Sequence, residues 1–374
     1  MYDIAIVGCG PIGSGAARHA SRAGLATCII GPHETPRATH QVWSSHYDCG
    51  RITHRSARNL QLALWANEAL TNYADIEQQS GIAFHVACGT LSISRDLRNF
   101  SYTAIREQLE SHLHFQYEDY TTETLISRFP MLNADLGMAG IYDGAPAGYI
   151  DPRAMVKAQL ICAQQQGTTL VRDIVTQLTA HDDHMVIHTH DGQRIHAAHV
   201  IVAAGAYSGL CGLLLTPVPH TIKTETVVLG EISAATAAQL TGMPSMMVDC
   251  VSETISDAYL TPPICYPDGK WYIKLGSNSV HDVFVESLSQ LQQWIRADVV
   301  PAVHAAQVAL LIELFPAIPF LGFTSAPCVI TRTPSGVPEI VRTHPHITAV
   351  VGCNGSLAKS GDVVGKIAVA ASQH

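Results

Sequence analysis

The chain has 374 residues, of which 47% are hydrophobic and only 14% charged, which is enough for two domains and excludes a disordered protein. The formal net charge of −9 has the wrong sign for binding a nucleic-acid backbone, so no nucleic-acid partner is expected. The histidines and cysteines show no zinc-ligand spacing, and we expect no metal site.

The first thirty residues predict a strand, a glycine-rich turn, a helix and a second strand. Residues 2–7 are apolar and β-prone, a GxGxxG turn follows, and a helical pattern precedes the strand 25–30. In such a unit the glycines permit the turn, let the backbone approach a pyrophosphate and let the helix pack closely, and the helix N-terminus favours phosphate. The sequence therefore predicts a bound dinucleotide, and the alternative is an ordinary glycine turn. The residues expected to contact the dinucleotide are Gly8, Gly10, Pro11, Ile12 and Gly13.

The loop after the second strand lacks one expected feature. Units of this type usually present an acidic residue to the ribose hydroxyls. Here Gly31 occupies that position, and Glu34 lies farther along the loop. The polar segment 39–56 that follows is too long and too rich in His and Arg for a simple connector, so we expect functional side chains in it.

The middle of the chain alternates predicted helices and strands. The pattern predicts a helix over 60–79 that ends at Gly81, and strands over 82–94 and 114–118 with a helix near 101–112 between them. Asp151 and Pro152 are typical of a helix N-cap and first turn. A hairpin is expected around residues 191–192.

The last part of the chain brings several glycine turns next to buried strands. The strand 199–203 leads into Gly205, where small residues permit a cofactor to approach closely. Helices are predicted at 285–298 and 301–313, and a final helix begins at Gly361. No linker or low-complexity tract is present, so the two domains are expected to be interleaved.

Two sequence patterns predict where in the cell the protein is located. The longest stretch without Asp, Glu, Lys or Arg, residues 195–222, is interrupted by Gly and Pro, so no membrane span is expected. No basic segment precedes the first strand and no cysteines form a CxxC pair, which favours a reducing, cytoplasmic location without a signal peptide.

Several segments, in their order and spacing, resemble one family. They are the GxGxxG turn, Cys49–His54, Arg128–Pro130, Gly148–Ala158, Ile201–Ala206, Tyr272–Gly276, Cys328–Pro334 and Gly355–Gly361. Together they resemble the glutathione-reductase-type flavoproteins and, within these, the D-amino-acid-oxidase superfamily. The resemblance is closest to the amine oxidases that include monomeric sarcosine oxidase and N-methyltryptophan oxidase, and it covers nearly the whole chain.

The resemblance implies a fold and a cofactor. The expected class is α/β, with a glutathione-reductase-type FAD-binding Rossmann domain (1–85, 145–215 and 325–374) interleaved with a mixed-sheet α+β substrate-binding domain (86–144 and 216–324). It places a backbone group of Val175 near the adenine of FAD and Gly205 beside the phosphates. Gly355 and Ser356 would contact the pyrimidine end of the flavin, where N–H groups stabilise negative charge.

Three cations are candidates for the chemistry. By its strand alone, Lys274 could simply point to solvent, but the resemblance places it near the flavin, where a fixed positive charge promotes the reaction with O2. Arg51 matches an arginine near the flavin and the substrate. Lys359 lies in the segment whose lysine binds the substrate carboxylate, although a gap-free alignment puts Leu357 at that lysine. The alternative for Arg51 and Lys359 is a surface cation.

The remaining candidate is Cys328, which matches the cysteine that carries the flavin as an 8α-thioether. The alternative is one more buried thiol, since free cysteine is commonly buried.

The expected pocket departs from the sarcosine pattern. Ile330 and Asn278 replace a tyrosine and a histidine, His54 replaces an arginine, and residues 263–264 are Pro and Ile where a tyrosine is expected. The resemblance therefore implies a substrate other than sarcosine, bulkier or more apolar.

The predicted function is an FAD-dependent oxidase of a secondary amine or an amino acid. The resemblance implies hydride transfer to flavin N5, an imine product, and reoxidation by O2 to give H2O2. The alternatives are a flavin-dependent dehydrogenase that passes electrons to another acceptor, a flavoprotein subunit of a larger complex, and a flavin fold without redox activity. The expected partners are a small-molecule amine or amino acid and O2, with no membrane, and the oligomeric state is open.

Overall fold

The chain forms three β-sheets with helices packed against them, in a computed structural model that describes residues 1–57, 59–97, 106–249, 252–297 and 299–373. The strands in these ranges are β1 (Tyr2–Val7), β2 (Thr27–Ile30), β3 (Arg51–Thr53), β4 (His85–Val86), β5 (Thr90–Ser94), β6 (Glu118–Tyr120), β7 (Ala139–Asp143), β8 (Gly148–Ile150), β9 (Thr169–Val171), β10 (Val175–Ala180), β11 (Met185–Thr189), β12 (Arg194–Val202), β13 (Thr221–Ile232), β14 (Ser245–Val248), β15 (Ile255–Cys265), β16 (Trp271–Ser279), β17 (Gly322–Arg332), β18 (Glu339–His344) and β19 (Ile347–Val351).

The helices in the same ranges are α1 (Pro11–Arg22), α2 (Leu60–Ser80), α3 (Arg106–Leu113), α4 (Thr122–Arg128), α5 (Pro152–Gln165), α6 (Tyr207–Leu210), α7 (Ala234–Gln239), α8 (Leu288–Arg296), α9 (Pro301–Leu314) and α10 (Gly361–Ser372). Short 3-10 turns cover Ala134–Leu136 and Gly355–Leu357.

The first sheet has a parallel centre, in which β1 pairs with β2 on one side and β12 on the other. Because a strand alternates its faces, Ile4 and Ile6 pack with α1, α5 and α10, whereas Ala5 and Val7 pack on the opposite face. Both faces are buried, which explains why β1 reads as an almost unbroken apolar run. The ends of β1 and β12 therefore meet at one edge, beside the start of α1.

The second sheet is mostly antiparallel and places β13 between β16 and β17. Its core is a large apolar cluster that also includes residues of α9, such as Leu311 and Leu314. The third sheet is small: β8 pairs antiparallel with β3 and β4, and it fixes the position of Arg51 at the start of β3.

The predicted α/β class with two interleaved parts is confirmed. The first sheet uses strands from 2–30, 169–202 and 339–351, and the second uses strands from 90–143 and 221–332. β17 belongs to the second sheet and runs through the predicted boundary near residue 325. The domain boundaries themselves stay a prediction.

Several local predictions are confirmed. The Asp151 side chain accepts a hydrogen bond from the Ala154 N–H at 3.0 Å and so caps α5. Gly81 ends α2 with φ of +70°, and Gly192 has φ of +84° in the turn between β11 and β12. α10 begins at Gly361 as expected.

Other local predictions differ from the structure. The expected strand 82–94 is divided into β4 and β5, because the chain turns at Gly89, where φ is +80°. The strand expected at 114–118 is wrong in its bounds: β6 begins at Glu118, since His114 has φ of +52° and Phe115 packs under the Arg55 guanidinium instead. The helix near 101–112 is α3, and residues 101–105 lie outside the described ranges.

Among the described residues, no single helix is long and apolar enough to cross a membrane. α8 and α9, bent by 51° relative to each other, pass that test only as a pair and only by length and composition.

Candidate functional site

The turn between β1 and α1 leaves its backbone open on one side. Gly8 has φ of +110°, and a Cβ there would lie 2.5 Å from the Ala203 carbonyl oxygen. A Cβ on Gly13 would lie 1.8 Å from the Gly8 carbonyl oxygen, so Gly13 lets α1 pack against the turn. By contrast, a Cβ on Gly10 would meet no atom of the described residues closer than His46 Nδ1 at 4.0 Å. The N-terminus of α1 and the open face at Gly10 together fit the phosphates of a dinucleotide.

A cavity of about 910 Å³ begins at this turn. It brings together most of the residues that the sequence singles out, and Gly13 and Lys274 are not in its wall. The predicted residues that line it are Gly8, Gly10, Pro11, Ile12, Arg51, Val175, Gly205, Cys328, Gly355, Ser356 and Lys359.

Polar groups near the turn also face the cavity. Glu34 lines it, but its carboxylate is bound by Arg153 Nη2 at 2.6 Å and Nε at 3.1 Å. His46 Nδ1 is buried without a hydrogen-bond partner among the described residues. Burial, followed by the charges of nearby arginines, lowers the pKa of His46 to about 3, so the ring is neutral. An unpaired buried polar atom next to Gly10 is the feature expected where a ligand supplies the missing partner.

Lys359 is buried just before α10, so the surface-cation alternative is wrong for it. Its ammonium donates to the Ser356 carbonyl oxygen at 2.7 Å and lies 3.4 Å from His54 Nε2. Tyr73 fixes the backbone by donating its hydroxyl to the Lys359 carbonyl oxygen at 2.5 Å. Burial lowers the pKa of Lys359 to about 7, and the negative charge of Asp143 opposes that shift. An anionic ligand here would favour the charged ammonium.

The other predicted cations, Arg51 and Lys274, are joined by a carboxylate that sequence reasoning missed. Asp48 Oδ2 pairs with Arg51 Nη1 and with Lys274 Nζ, the latter at 2.7 Å. Its Oδ1 accepts from the Tyr266 hydroxyl and the Cys49 N–H, both at 2.8 Å. The signal available in the sequence was an acid three residues before Arg51.

Lys274 is fully buried, so the solvent-facing alternative is wrong. Burial and the Arg51 charge lower the pKa of Lys274, whereas the adjacent Asp48 carboxylate favours the ammonium form. Its Nζ lies 5.5 Å from the ring centroid of Tyr259, which does line the cavity. A tyrosine of β15, Tyr259, therefore lies beside Lys274, although residues 263–264 are Pro and Ile.

Cys328 lies on β17 in the cavity wall, opposite Glu225 of β13 in the strand pairing. Burial raises the pKa of the Cys328 thiol, and the charge of Arg51 opposes this shift. Three residues that depart from the sarcosine pattern, His54, Asn278 and Ile330, also line the cavity. Glu225 lines it as well and was missed, because only the fold shows which face of β13 the cavity occupies.

Among the described residues, no group of three or more His, Cys, Asp or Glu side chains is placed to hold a metal ion.

Comparison with known proteins agrees with this geometry. Residues 3–371 match the family model described as "DAO: FAD dependent oxidoreductase". N-methyl-L-tryptophan oxidase from Salmonella arizonae is 24% identical over 207 residues, which are 55% of this chain and 54% of that protein. The match thus spans about half the length of such curated relatives.

Many solved structures share this fold, including the following two. One is NikD, described as an unusual amino acid oxidase essential for nikkomycin biosynthesis, with a TM-score of 0.78 at 17% identity over 98% of this chain and 93% of that one. The other is L-proline dehydrogenase from P. horikoshii, with a TM-score of 0.76 at 15% identity over 98% of this chain and 92% of that one.

Proposed function

Because this chain belongs to the DAO family of FAD-dependent oxidoreductases, we propose that it is an oxidase of a secondary amine or an amino acid. When bound, FAD would supply the electron-accepting chemistry, as acceptor of a hydride from the carbon next to nitrogen and as donor of two electrons to O2. The products would be an imine, which hydrolyses or cyclises, and hydrogen peroxide. The observation that carries the proposal is that one cavity connects the Gly10 turn to the buried ammonium of Lys359.

The cofactor would be held along the cavity from the start of α1 to the start of α10. Gly8, Gly10, Pro11 and Ile12 would face the pyrophosphate, with Gly205 beside it and Val175 near the adenine. Gly355 and Ser356 would face the pyrimidine end. These assignments are supported by the position of each residue in the cavity wall and by the open backbone at Gly10.

The substrate carboxylate would bind Lys359. The ammonium is buried, its pKa is lowered to about 7, and the acidic group that opposes this shift, Asp143, is itself bound by Arg55 Nε at 3.0 Å. A substrate carboxylate would therefore supply the direct ion pair that Lys359 does not make with any described residue. Arg51 would stay a secondary contact for the flavin or the substrate, since Asp48 already pairs with it.

Lys274 would promote the reaction with O2 by its positive charge. The ion pair with Asp48 reduces the field that this charge exerts on the cavity. That observation favours one second candidate function, an amine or amino-acid dehydrogenase that passes electrons to an acceptor other than O2.

We propose in addition that FAD would be attached covalently through Cys328, because the thiol lies in the cavity wall. The new S–C bond would replace the thiol S–H and one C–H of the flavin 8α-methyl group, and the two electrons released would pass through the flavin to O2 as H2O2. We also propose the FAD-binding domain 1–85, 145–215 and 325–374, the substrate-binding domain 86–144 and 216–324, and a cytoplasmic location.

The deciding experiment is an absorption spectrum of the purified protein, followed by a panel of amines and amino acids. Turnover is followed by H2O2 in air and, separately, by reduction of an artificial electron-accepting dye. An oxidase produces H2O2 in proportion to substrate consumed. Turnover with the dye but without H2O2 identifies a dehydrogenase, and a protein with flavin that oxidises no panel member in either assay contradicts the proposal.

A further inference from the structure

Glu225 is a carboxylate on the cavity wall with an unusual lack of partners. On β13, Thr224 and Thr226 face the buried side, and Glu225 faces the cavity between Cys328 of β17 and Asn278 near the end of β16. Its side chain is only 13% exposed. Among the described residues its carboxylate makes one ion pair, to Lys223 at 3.7 Å, and no shorter hydrogen bond.

The two cations near Glu225, Lys223 and Arg332, form their close hydrogen bonds with other groups. Lys223 Nζ donates to Asp282 Oδ2 at 2.6 Å and to Asn278 Oδ1 at 2.7 Å. Arg332 Nη2 donates to the same Asn278 oxygen at 3.1 Å. The buried acid Asp143 differs in this respect, because Arg55 binds its carboxylate directly through Nε at 3.0 Å.

The other two acids beside this wall each have a close partner. Asp282 pairs with Lys223 Nζ at 2.6 Å, and Asp257 accepts from the Asn278 side-chain amide at 2.6 Å. Burial raises the pKa of Glu225 to about 7, the charge of Asp282 adds to that shift, and Lys223, Arg332 and Arg51 oppose it. A cation entering the cavity would meet an acid that has no close partner among the described residues.

We propose that Glu225 binds a second, positively charged nitrogen of the substrate, away from the carbon that is oxidised. The substrate class is thus a diamine or a diamino acid rather than an amine with a purely apolar side chain. The inference rests on the proposed oxidase function, and Lys359 remains the site for a carboxylate. Ile330 in the same wall is an apolar surface that the hydrocarbon chain of such a substrate would contact.

An apolar substrate fits this wall less well. It would remove water from Glu225 and supply no hydrogen bond, which costs free energy whether the carboxyl is ionised or protonated. A terminal ammonium would instead donate a charge-assisted hydrogen bond in a cavity of low dielectric constant.

The test uses pairs of amino acids of equal chain length, with and without a terminal amine, each in both enantiomers. The pairs are lysine with norleucine, ornithine with norvaline, and 2,4-diaminobutyrate with 2-aminobutyrate. For each, kcat/KM is measured by H2O2 release and binding by the shift in Tm. We expect the diamino member of at least one pair to be favoured by about 10- to 100-fold.

Glu225→Gln should remove this preference while retaining the fold, because glutamine has the shape of the protonated acid. The matched control is Glu231→Gln, on the same strand, whose carboxylate pairs with the exposed Lys270 and does not line the cavity. The control should keep the preference, and both variants should unfold near the wild-type temperature.

The outcomes separate this inference from the proposed function. Oxidation of panel members without preference for a terminal amine, in both kcat/KM and Tm shift, overturns the role of Glu225 and leaves the oxidase intact. A Tm shift by the diamino members alone, lost in Glu225→Gln but without turnover, supports the role of Glu225 and contradicts the oxidase. If wild type and Glu225→Gln prefer the diamino members equally, the inference is overturned.

Discussion

Asp48 offers a quantitative test of the electrostatic arrangement, because its carboxylate is shared by two cations that are almost out of contact with water. The exposed fractions are 0% for the Lys274 side chain, 10% for Arg51 and 16% for Asp48. Removing one partner of a buried ion pair leaves an uncompensated charge, at a cost of about 3–5 kcal/mol. Since Asp48 is partly exposed, we expect Asp48→Asn to cost about 3 kcal/mol.

That cost translates into a measurable melting temperature. For a chain of 374 residues the unfolding entropy is about 0.8 kcal/mol/K, so Asp48→Asn should lower Tm by about 4 °C. Lys274→Met in the same background removes the orphaned ammonium, and the double variant should therefore be more stable than Asp48→Asn alone. Differential scanning calorimetry on the wild type, the two single variants and the double variant gives the coupling free energy between Asp48 and Lys274.

The exposed pair Lys270–Glu231 is the control for this cycle, with side chains 54% and 24% exposed. Its Lys270→Met and Glu231→Gln variants should change stability by less than about 1 kcal/mol. The reasoning is refuted if the Asp48→Asn and Lys274→Met effects simply add, because then Asp48 does not balance the charge of Lys274.

The remaining predictions concern the cavity. Lys359→Met should raise KM for amino acids by about 10- to 100-fold and leave amines without a carboxylate unaffected. Because Lys359 is charged below its pKa of about 7, KM of the wild type for amino acids should increase as the pH rises above 7, and Lys359→Met should lack that dependence. Gly10→Val should abolish flavin absorption with little change in Tm of the flavin-free protein, whereas Gly13→Ala, which brings a Cβ to 1.8 Å from the Gly8 carbonyl oxygen, should destabilise the fold. Acid precipitation should leave the yellow colour with the wild-type protein and release it from Cys328→Ser; release from both contradicts covalent attachment. Lys274→Met should slow reoxidation by O2 far more than flavin reduction in stopped-flow measurements, and equal slowing of both contradicts its role.

Patterns within a short segment predicted the fold well. The β1–α1–β2 unit, the Asp151 cap and the Gly81 terminus each depend on residues that are close together in the chain, so periodicity and turn chemistry were sufficient. β6 was misplaced because Phe115, which looks like part of a strand, packs against Arg55 from a distant segment.

The site was predictable only in part, because some of its contacts join segments that are far apart in the chain. The resemblance pointed to residues that line one cavity, including Arg51, Cys328 and Lys359. It could not reveal that Asp48 joins Lys274 from 226 residues away, since no local pattern encodes that contact. Glu225 was missed because a strand has two faces and the sequence of β13 does not show which one meets the cavity.

The central claim is that this cavity holds FAD together with an amine that reduces it. The direct measurement mixes the purified protein with amines and amino acids in the absence of O2 and follows the visible absorption of the oxidised flavin. The account predicts that at least one of them bleaches this absorption and that admitting air restores it, with one H2O2 formed per substrate oxidised. If the purified protein binds FAD but no amine or amino acid bleaches the flavin absorption, that result would contradict the account.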